Sequence, residues 1–172
     1  MKIMLLQKLE YVCLLGALVI AVSVQAAAQE DKGESKENLA LKNRTSVPKT
    51  ADFDKSVTLT ELLNKMGPNE WSNARAATVE GYVIQQEREE DGDYHIVLAA
   101  RPNENDTSKW VIVEVTTPWT KKSKSLSAAH LKDLRGKHIR ATGWLYYEPE
   151  TTGPDPRGTR WELHPVTDIT VL

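Results

Sequence analysis

Hydrophobic and polar residues alternate in five separate stretches of the C-terminal part of the chain. In the first stretch, Val79 and Val83 alternate with Glu80 and Tyr82, and the other four stretches repeat this pattern. Alternation with a period of two is typical of strands that bury one face. The sequence therefore predicts five strands, over residues 77–86, 94–100, 110–116, 139–147 and 161–171.

Two other segments show helical spacing. Before the first strand, Thr58 and Glu61 form a capping box that opens a repeat of apolar residues. Between the third and fourth strands, residues 125–135 show a second amphipathic pattern, and Gly136 follows it as a C-cap. We therefore expect a short N-terminal helix and one helix between strands three and four.

The order of these elements indicates the fold. Three strands, a helix and two further strands are the order of a five-stranded OB-type barrel. Gly81 and Gly143 lie inside predicted strands, where glycine often marks a bend or a bulge. We expect a mainly β fold of this kind, with the N-terminal helix covering one end or flank of the barrel. An open α+β sheet is the alternative architecture.

The first 28 residues have the pattern of a signal peptide. Lys2 and Lys8 form a basic start, residues 13–24 are almost all apolar, and residues 26–28 are three alanines that suit a signal peptidase. The apolar run is shorter than the roughly 20 residues of a membrane span, which argues against the alternative of an uncleaved anchor. The sequence therefore predicts a periplasmic or secreted protein, with no membrane span after cleavage.

Cleavage changes the composition of the remaining chain. The whole sequence has a net charge of −2, and loss of Lys2, Lys8 and Glu10 leaves −3. Cys13 is the only cysteine, so the exported chain would hold no disulfide and must depend on a packed core. A slightly acidic chain also lacks the clustered cations of a protein that binds nucleic acid strongly and without sequence preference.

The segment after the signal peptide is polar. Residues 29–56 are rich in charged and small polar side chains and contain few large apolar ones. Such a composition buries too little surface to offset the entropy cost of ordering. The sequence predicts a disordered linker over 29–56 and an OB-fold-like domain over 57–172.

Four segments carry a resemblance to a known group of proteins. They are residues 93–98 (DYHIVL), 114–116 (EVT), 136–145 (GKHIRATGWL) and 161–167 (WELHPVT). They resemble bacterial exported OB-fold-like domains of uncharacterised function, and the likeness covers residues 77–172. The WELHPV run is its specific part. The resemblance implies the barrel fold and no particular activity.

Strand periodicity also predicts which side chains face inward. The residues expected inside the barrel are Val79, Ile96, Leu98, Val111, Val113, Val115, Ile139, Leu145, Leu163 and Ile169. The opposite face then carries the candidate ligand-binding residues Tyr82, His95, Trp110, Glu114, Trp144, Tyr146, Glu162 and His164. OB barrels usually bind ligands on the outer face of strands two and three, between the loops that join strands one to two and four to five.

This outer face offers three kinds of chemistry. The aromatic rings of Tyr82, Trp110 and Trp144 can stack on bases, sugars or apolar side chains. His95, Glu114 and His164 have the ligand types of a two-histidine, one-carboxylate metal site. Glu114 and Glu162 can share acid–base work if they lie at a suitable separation.

Each of these features also has a purely structural explanation. The aromatic rings can pack under the N-terminal helix, and histidines on strands are usually hydrogen-bonded parts of the structure. The carboxylates can form surface ion pairs with Arg140 or Arg160. The sequence contains no GxSxG elbow, phosphate-binding glycine loop or HExxH helix.

We therefore favour an exported, non-catalytic binding module that uses the outer barrel face. The ligand classes left open are an oligosaccharide, a nucleic acid and a protein partner. The alternative is a metal-dependent hydrolase or nuclease that uses His95, Glu114 and His164.

Overall fold

Five strands close into a barrel in the computed structural model, which describes residues 35–149 and 157–172. Around the barrel the strands follow the order β1-β2-β3-β5-β4, and all neighbouring pairs are antiparallel except the parallel pair β3–β5. This is the strand order of an OB-type barrel, so the predicted fold is confirmed. The strands are β1 (Ala76–Arg88), β2 (Tyr94–Ala99), β3 (Val111–Val115), β4 (His138–Tyr147) and β5 (Trp161–Val171).

The barrel interior is filled by the apolar side chains that the period-two pattern selects. All ten residues expected to face inward are buried and belong to one hydrophobic cluster. Trp161 belongs to the same cluster and its ring meets that of Trp71 edge to face, with centroids 5.5 Å apart. Because the sheet is closed, each strand is paired on both sides, and the side chains that face inward form one core.

In the described part of the chain, four short α-helices accompany the barrel: α1 (Lys36–Lys42), α2 (Leu59–Asn64), α3 (Thr117–Lys122) and α4 (Ala128–Leu131). The predicted capping box is present at α2, where the Thr58 hydroxyl accepts the backbone N–H of Glu61 at 3.1 Å. Leu59 and Leu62 of α2 are buried in the barrel core, and the helix packs against β1 and β3. α2 therefore has the covering role expected from the sequence.

The connection between β3 and β4 differs from the single helix predicted over 125–135. It consists of α3, a 3₁₀ turn over Lys124–Leu126 and α4. Ser123 and Ser127 have extended backbone dihedrals and separate these pieces, and the Ser127 hydroxyl donates to the carbonyl of Lys124 at 2.9 Å. Serine side chains compete in this way for the backbone groups of a helix. The leucines of the segment, Leu126, Leu131 and Leu134, are still buried.

A β-bulge lies where β4 crosses β5. Gly143 pairs with Val166 and Leu145 with Leu163, so two steps along β4 match three along β5. A Cβ on Gly143 would lie 2.7 Å from the carbonyl oxygen of Pro165, closer than real atoms approach. The bulge expected at this glycine is confirmed. It allows Leu163 and Val166 both to face the core while His164, between them, faces outward.

The polar segment before α2 is also structured, which corrects the disordered linker expected over 29–56 for the part from Ser35 onward. Ser35 caps α1 by accepting the N–H of Asn38 at 3.1 Å, and Phe53 forms an isolated parallel bridge with Ala76. The segment is ordered because it packs against the barrel with polar contacts, which its hydropathy does not reveal. We call residues 35–49 the N-terminal strap.

The predicted signal peptide, residues 1–28, and residues 29–34 lie outside the described part of the chain. Within residues 35–149 and 157–172, no helix has the length and apolar character needed to cross a membrane.

Candidate functional site

The N-terminal strap covers the aromatic part of the outer face. The guanidinium of Arg44 lies 4.6 Å from the ring centroid of Trp144, and the indole N–H of Trp144 donates to the carbonyl of Ser46 at 2.9 Å. Arg44 also donates to the carbonyls of Asn73 and Leu145, at 2.6 and 3.2 Å. Trp144 therefore faces away from the barrel interior, as predicted, but it is only 8% exposed.

Helix α1 extends this cover to Tyr146. The ammonium of Lys42 lies 5.3 Å from the ring centroid of Tyr146 and 2.8 Å from the carboxylate of Glu148. Tyr146 is fully buried although it lies outside the barrel core. The strap thus occupies the surface on which Trp144 was expected to stack against a ligand, and it also covers the candidate residue Tyr146. This segment, rather than α2, covers the two rings.

Tyr82 and Trp110 lie at a different end of the barrel from His95. Tyr82 pairs with Ala99 at the end of β2, and its ring stacks on His138 with centroids 4.5 Å apart. Trp110 directly precedes β3, and its indole N–H donates to the carbonyl of Glu104 at 3.1 Å. His95 lies four residues before Ala99, which separates the two ends by roughly 13 Å. These two rings do not join the other candidate residues in one site.

Three of the predicted residues do come together. His164 and Glu162 lie on β5 and Glu114 lies on β3, and the parallel pairing of Val113 with Leu163 places the three on one outer face. The His164 Nδ1 atom is 3.1 Å from Glu162 Oε1, and Nε2 on the other side of the ring is 3.6 Å from Glu114 Oε1. The three could share a metal ion, because one ligand atom of each lies within 4.8 Å of the others.

A fourth charged residue completes this cluster. Arg157, which lies in the loop between β4 and β5, places Nη1 3.1 Å from Glu162 Oε2. The side chains of Glu162 and His164 are each only 4% exposed, while that of Glu114 is 15% exposed. We call Glu114, His164, Glu162 and Arg157 the charged cluster. The sequence analysis missed Arg157 because it lies in a loop without periodic signal.

Burial and pairing set the charges of the cluster. Burial raises the pKa of Glu114 to about 8, against the opposing effect of the neighbouring His164. Burial also acts to raise the pKa of Glu162, but the hydrogen bond with His164 and the charges of His164 and Arg157 outweigh it, so the pKa lies below its ordinary value. For His164, burial is outweighed by the two carboxylates, which raise its pKa. The pKa shifts of Glu162 and His164 thus favour their charged forms, whereas that of Glu114 favours its neutral form.

His95 borders the charged cluster without joining it. It is the cross-strand partner of Glu114, but its Nδ1 atom lies 3.3 Å from Glu89 Oε1. The proposed triad of His95, Glu114 and His164 is therefore not the group assembled here, where Glu162 takes the place of His95. His95 instead lines an open surface groove next to the cluster.

This groove has a volume of about 440 Å³ and lies on the outer face of β1 and β2. We call it the β1–β2 groove. Its walls carry amide, carboxylate, imidazole and guanidinium groups with one apolar side chain. The lining residues are Gln85, Gln86, Glu87, Glu89, His95, Val97 and Arg135.

The loop between β1 and β2 closes one end of this region and is held in a defined shape. Gly92 has a φ of +94°, which glycine adopts without strain, and its N–H donates to the carbonyl of Glu89 at 3.0 Å. The carboxylate of Asp93 accepts the backbone N–H of Thr117 at the start of α3. The loop is thereby tied to the segment that follows β3, next to the groove and the cluster.

Comparison with known proteins assigns no family to the chain. No family model and no curated protein matches the chain. Among solved structures, an Entamoeba histolytica asparaginyl-tRNA synthetase in complex with asparaginyl-adenylate is 16% identical, with 60% of this chain and 22% of the synthetase covered and a TM-score of 0.42. A putative aspartyl-tRNA synthetase from Leishmania major Friedlin is 10% identical, with 75% and 22% covered and a TM-score of 0.44.

A third similar structure is matched over almost its whole length. It is the OBody AM3L09 bound to hen egg-white lysozyme, 16% identical, with 73% of this chain and 97% of that chain covered and a TM-score of 0.46. The chain spans only about a fifth of the two synthetases. With TM-scores below 0.5, these matches carry no argument about the fold or the ligand. The fold assignment stands on the closed strand order itself.

Proposed function

We propose that the protein is an exported, non-catalytic OB-fold binding module whose ligand lies in the β1–β2 groove. OB barrels usually bind ligands on the outer face of strands two and three, beside the loops that join strands one to two and four to five. The groove borders this surface through its β2 residues His95 and Val97. In this chain the strap covers the aromatic part of that face, whereas the groove beside the loop is open. The position of this groove, which is about 440 Å³ in volume and lies beside the loop that joins β1 and β2, is the single observation that carries the proposal.

The groove's side chains favour a ligand rich in hydroxyl groups. Glu87 and Glu89 supply carboxylate acceptors, Gln85 supplies an amide, and His95 supplies a ring nitrogen. Such planar polar groups match the neighbouring hydroxyls of a sugar. The same carboxylates repel phosphate groups, which makes nucleic acid a poor fit. We therefore infer an oligosaccharide ligand, with a basic peptide as the competing outcome.

Binding to a glycan array, followed by calorimetry on the sugars that bind, tests this proposal. Glu87→Gln should weaken binding by about tenfold, the effect of removing one charged hydrogen-bond acceptor. The matched control is Glu80→Gln on the same strand, where Glu80 pairs with Arg140 at 2.6 Å away from the groove. Equal weakening by the two changes would place the ligand elsewhere. If the protein bound basic peptides but no glycan, the ligand would be a basic peptide and the inferred oligosaccharide would be wrong.

Export is a separate part of the proposal. It is supported by the basic start, the apolar residues 13–24 and the alanines at 26–28. Expression of the full chain in a bacterium and N-terminal sequencing of the product should give Gln29 as the first residue. Recovery of the uncleaved chain from the cytoplasm would contradict it.

A further inference from the structure

We propose that His164 and Glu114 bind a divalent transition-metal ion of the zinc class, with Glu162 holding the histidine in the required orientation. This site is separate from the β1–β2 groove and does not depend on the identity of the groove's ligand. It differs from the triad expected from the sequence, because His95 is replaced by Glu162 in a supporting role.

The distance between the two ligand atoms carries the argument. His164 Nε2 and Glu114 Oε1 are 3.6 Å apart, too far for a hydrogen bond. Two bonds of about 2.1 Å that meet at a tetrahedral angle place a nitrogen and an oxygen ligand roughly 3.4 Å apart. The two atoms therefore have the separation of a pair of ligands that share an ion.

The other side of the imidazole has the partner that a metal-binding histidine requires. His164 Nδ1 lies 3.1 Å from Glu162 Oε1, and an N–H donated there leaves the lone pair of Nε2 directed at Glu114. Metal-bound histidines usually donate their second N–H to a carboxylate or carbonyl in this way. Arg157 holds the remaining oxygen of Glu162 at 3.1 Å, which fixes the orienting carboxylate.

The backbone holds the ligands at these positions. Glu114 and His164 each follow one residue of the paired couple Val113 and Leu163, so parallel pairing sets their spacing. The ring of Tyr146 meets that of His164 at a centroid distance of 5.7 Å and covers one side of the imidazole. Glu114 is the most exposed of the three, so coordination positions on its side are open to water or to a ligand.

The simpler alternative is a buried ion-pair network in which a protonated His164 joins the two carboxylates. The two interpretations differ in metal stoichiometry. We would treat the purified protein with a chelator, remove the chelator, and titrate it with Zn²⁺, Mn²⁺ and Mg²⁺ by calorimetry. We expect one Zn²⁺ per chain and a rise in the melting temperature, because an ion that binds only the folded state stabilises it. Absence of Zn²⁺ binding by the folded protein would overturn the proposal.

Variants assign the ligands. His164→Gln and Glu114→Gln should abolish the one-to-one Zn²⁺ binding, and Glu162→Gln should weaken it by about 10–100-fold as expected for an orienting group. The exposed His130 provides the matched control, because His130→Gln should leave binding unchanged. Loss of binding in a His95→Gln variant, with binding kept in His164→Gln, would contradict the site.

X-ray absorption of the zinc-loaded wild-type protein covers the case in which a variant fails to fold. We expect one imidazole in the first coordination shell, with oxygen ligands for the rest. A shell with two imidazoles, or with none, would overturn the assignment.

Discussion

The guanidinium of Arg44 lies 4.6 Å from the ring centroid of Trp144, so the strap that precedes the barrel and an outward-facing side chain of β4 form one packed unit. Burial lowers the pKa of Arg44 to about 10, which still leaves it a cation at neutral pH. The cost of burying this charge is offset by the ring and by the carbonyls it contacts, including that of Asn73 at 2.6 Å. Electrostatic and polar contacts of Arg44 thus hold the strap against the barrel.

The Arg44→Ala variant should lower the free energy of unfolding by about 2 kcal/mol. The reason is the loss of a half-buried cation–π contact together with hydrogen bonds to the backbone carbonyls of Asn73 and Leu145. Urea denaturation followed by tryptophan fluorescence measures this change. The exposed Arg101 is the control, and Arg101→Ala should stay within about 0.5 kcal/mol of wild type. Equal effects of the two substitutions would contradict a structural role for Arg44.

Removal of residues 1–49 should expose the aromatic surface under the strap. Trp144 and Tyr146 would then meet solvent, so we expect a red shift of the fluorescence emission and a lower denaturation midpoint than that of Arg44→Ala. Removal of residues 1–34, which keeps the strap, is the matched control and should change neither signal. An unshifted emission spectrum after the longer deletion would show that the strap does not cover Trp144 in solution.

The barrel was predictable from the sequence because each strand has one apolar and one polar side. All ten residues selected by this alternation are in the core, and Thr58 begins α2 as the capping pattern indicates. The sequence analysis predicted no helix at Pro118, but this residue lies in the first turn of α3, where proline is favoured. That signal was present in the sequence and was missed.

The cover over the outer face was not predictable in the same way. Trp144 and Trp119 donate their indole N–H groups to the backbone carbonyls of Ser46 and Arg44, at 2.9 and 2.8 Å. A backbone carbonyl has no sequence signature, and hydropathy makes the strap look like a linker. The alternation of inward and outward residues along the strands did predict that Glu114, Glu162 and His164 share one face. It could not show that Arg157, in a loop, would reach them.

The Asp93→Asn variant should be at least as stable as wild type at neutral pH. Burial raises the pKa of Asp93, despite the opposing hydrogen bond from the backbone N–H of Thr117. Asparagine keeps an oxygen acceptor for that N–H and removes the buried charge. The variant tests whether the charge of the Asp93 carboxylate or the geometry of its hydrogen bond with Thr117 has the larger effect on stability.

The pH dependence of the same pair follows from the sign of the shift. A raised pKa means that the folded state binds the proton more tightly than the unfolded state. The wild type therefore loses stability as the pH rises from about 3.9, the ordinary value for Asp, through the raised pKa of Asp93. Urea denaturation at several pH values should show the advantage of Asp93→Asn growing over that window. If Asp93→Asn were less stable than wild type by the same amount at every pH, the geometry of the hydrogen bond to Thr117, rather than the charge, would determine the stability.

The Gly143→Ala variant should destabilise the barrel by about 2–3 kcal/mol, the usual cost of overpacking a rigid interior. The new methyl group would lie 2.7 Å from the Pro165 carbonyl oxygen and 2.9 Å from the Cα of Val166, and both are backbone atoms that cannot rotate away. Gly67→Ala is the control, because its nearest neighbours are 3.6 and 3.7 Å away on the flexible side chain of Glu70. Denaturant midpoints of the two variants measure the difference.

The same substitution tests how the bulge positions His164. Relief of the clash requires β5 to move away from β4 at residues 165–166, directly beside the histidine. We therefore expect Gly143→Ala to weaken Zn²⁺ binding even where the protein remains folded, whereas Gly67→Ala leaves it unchanged. Wild-type stability and wild-type Zn²⁺ affinity in Gly143→Ala would mean that neither the bulge nor the orientation of His164 depends on the close approach of these two strands.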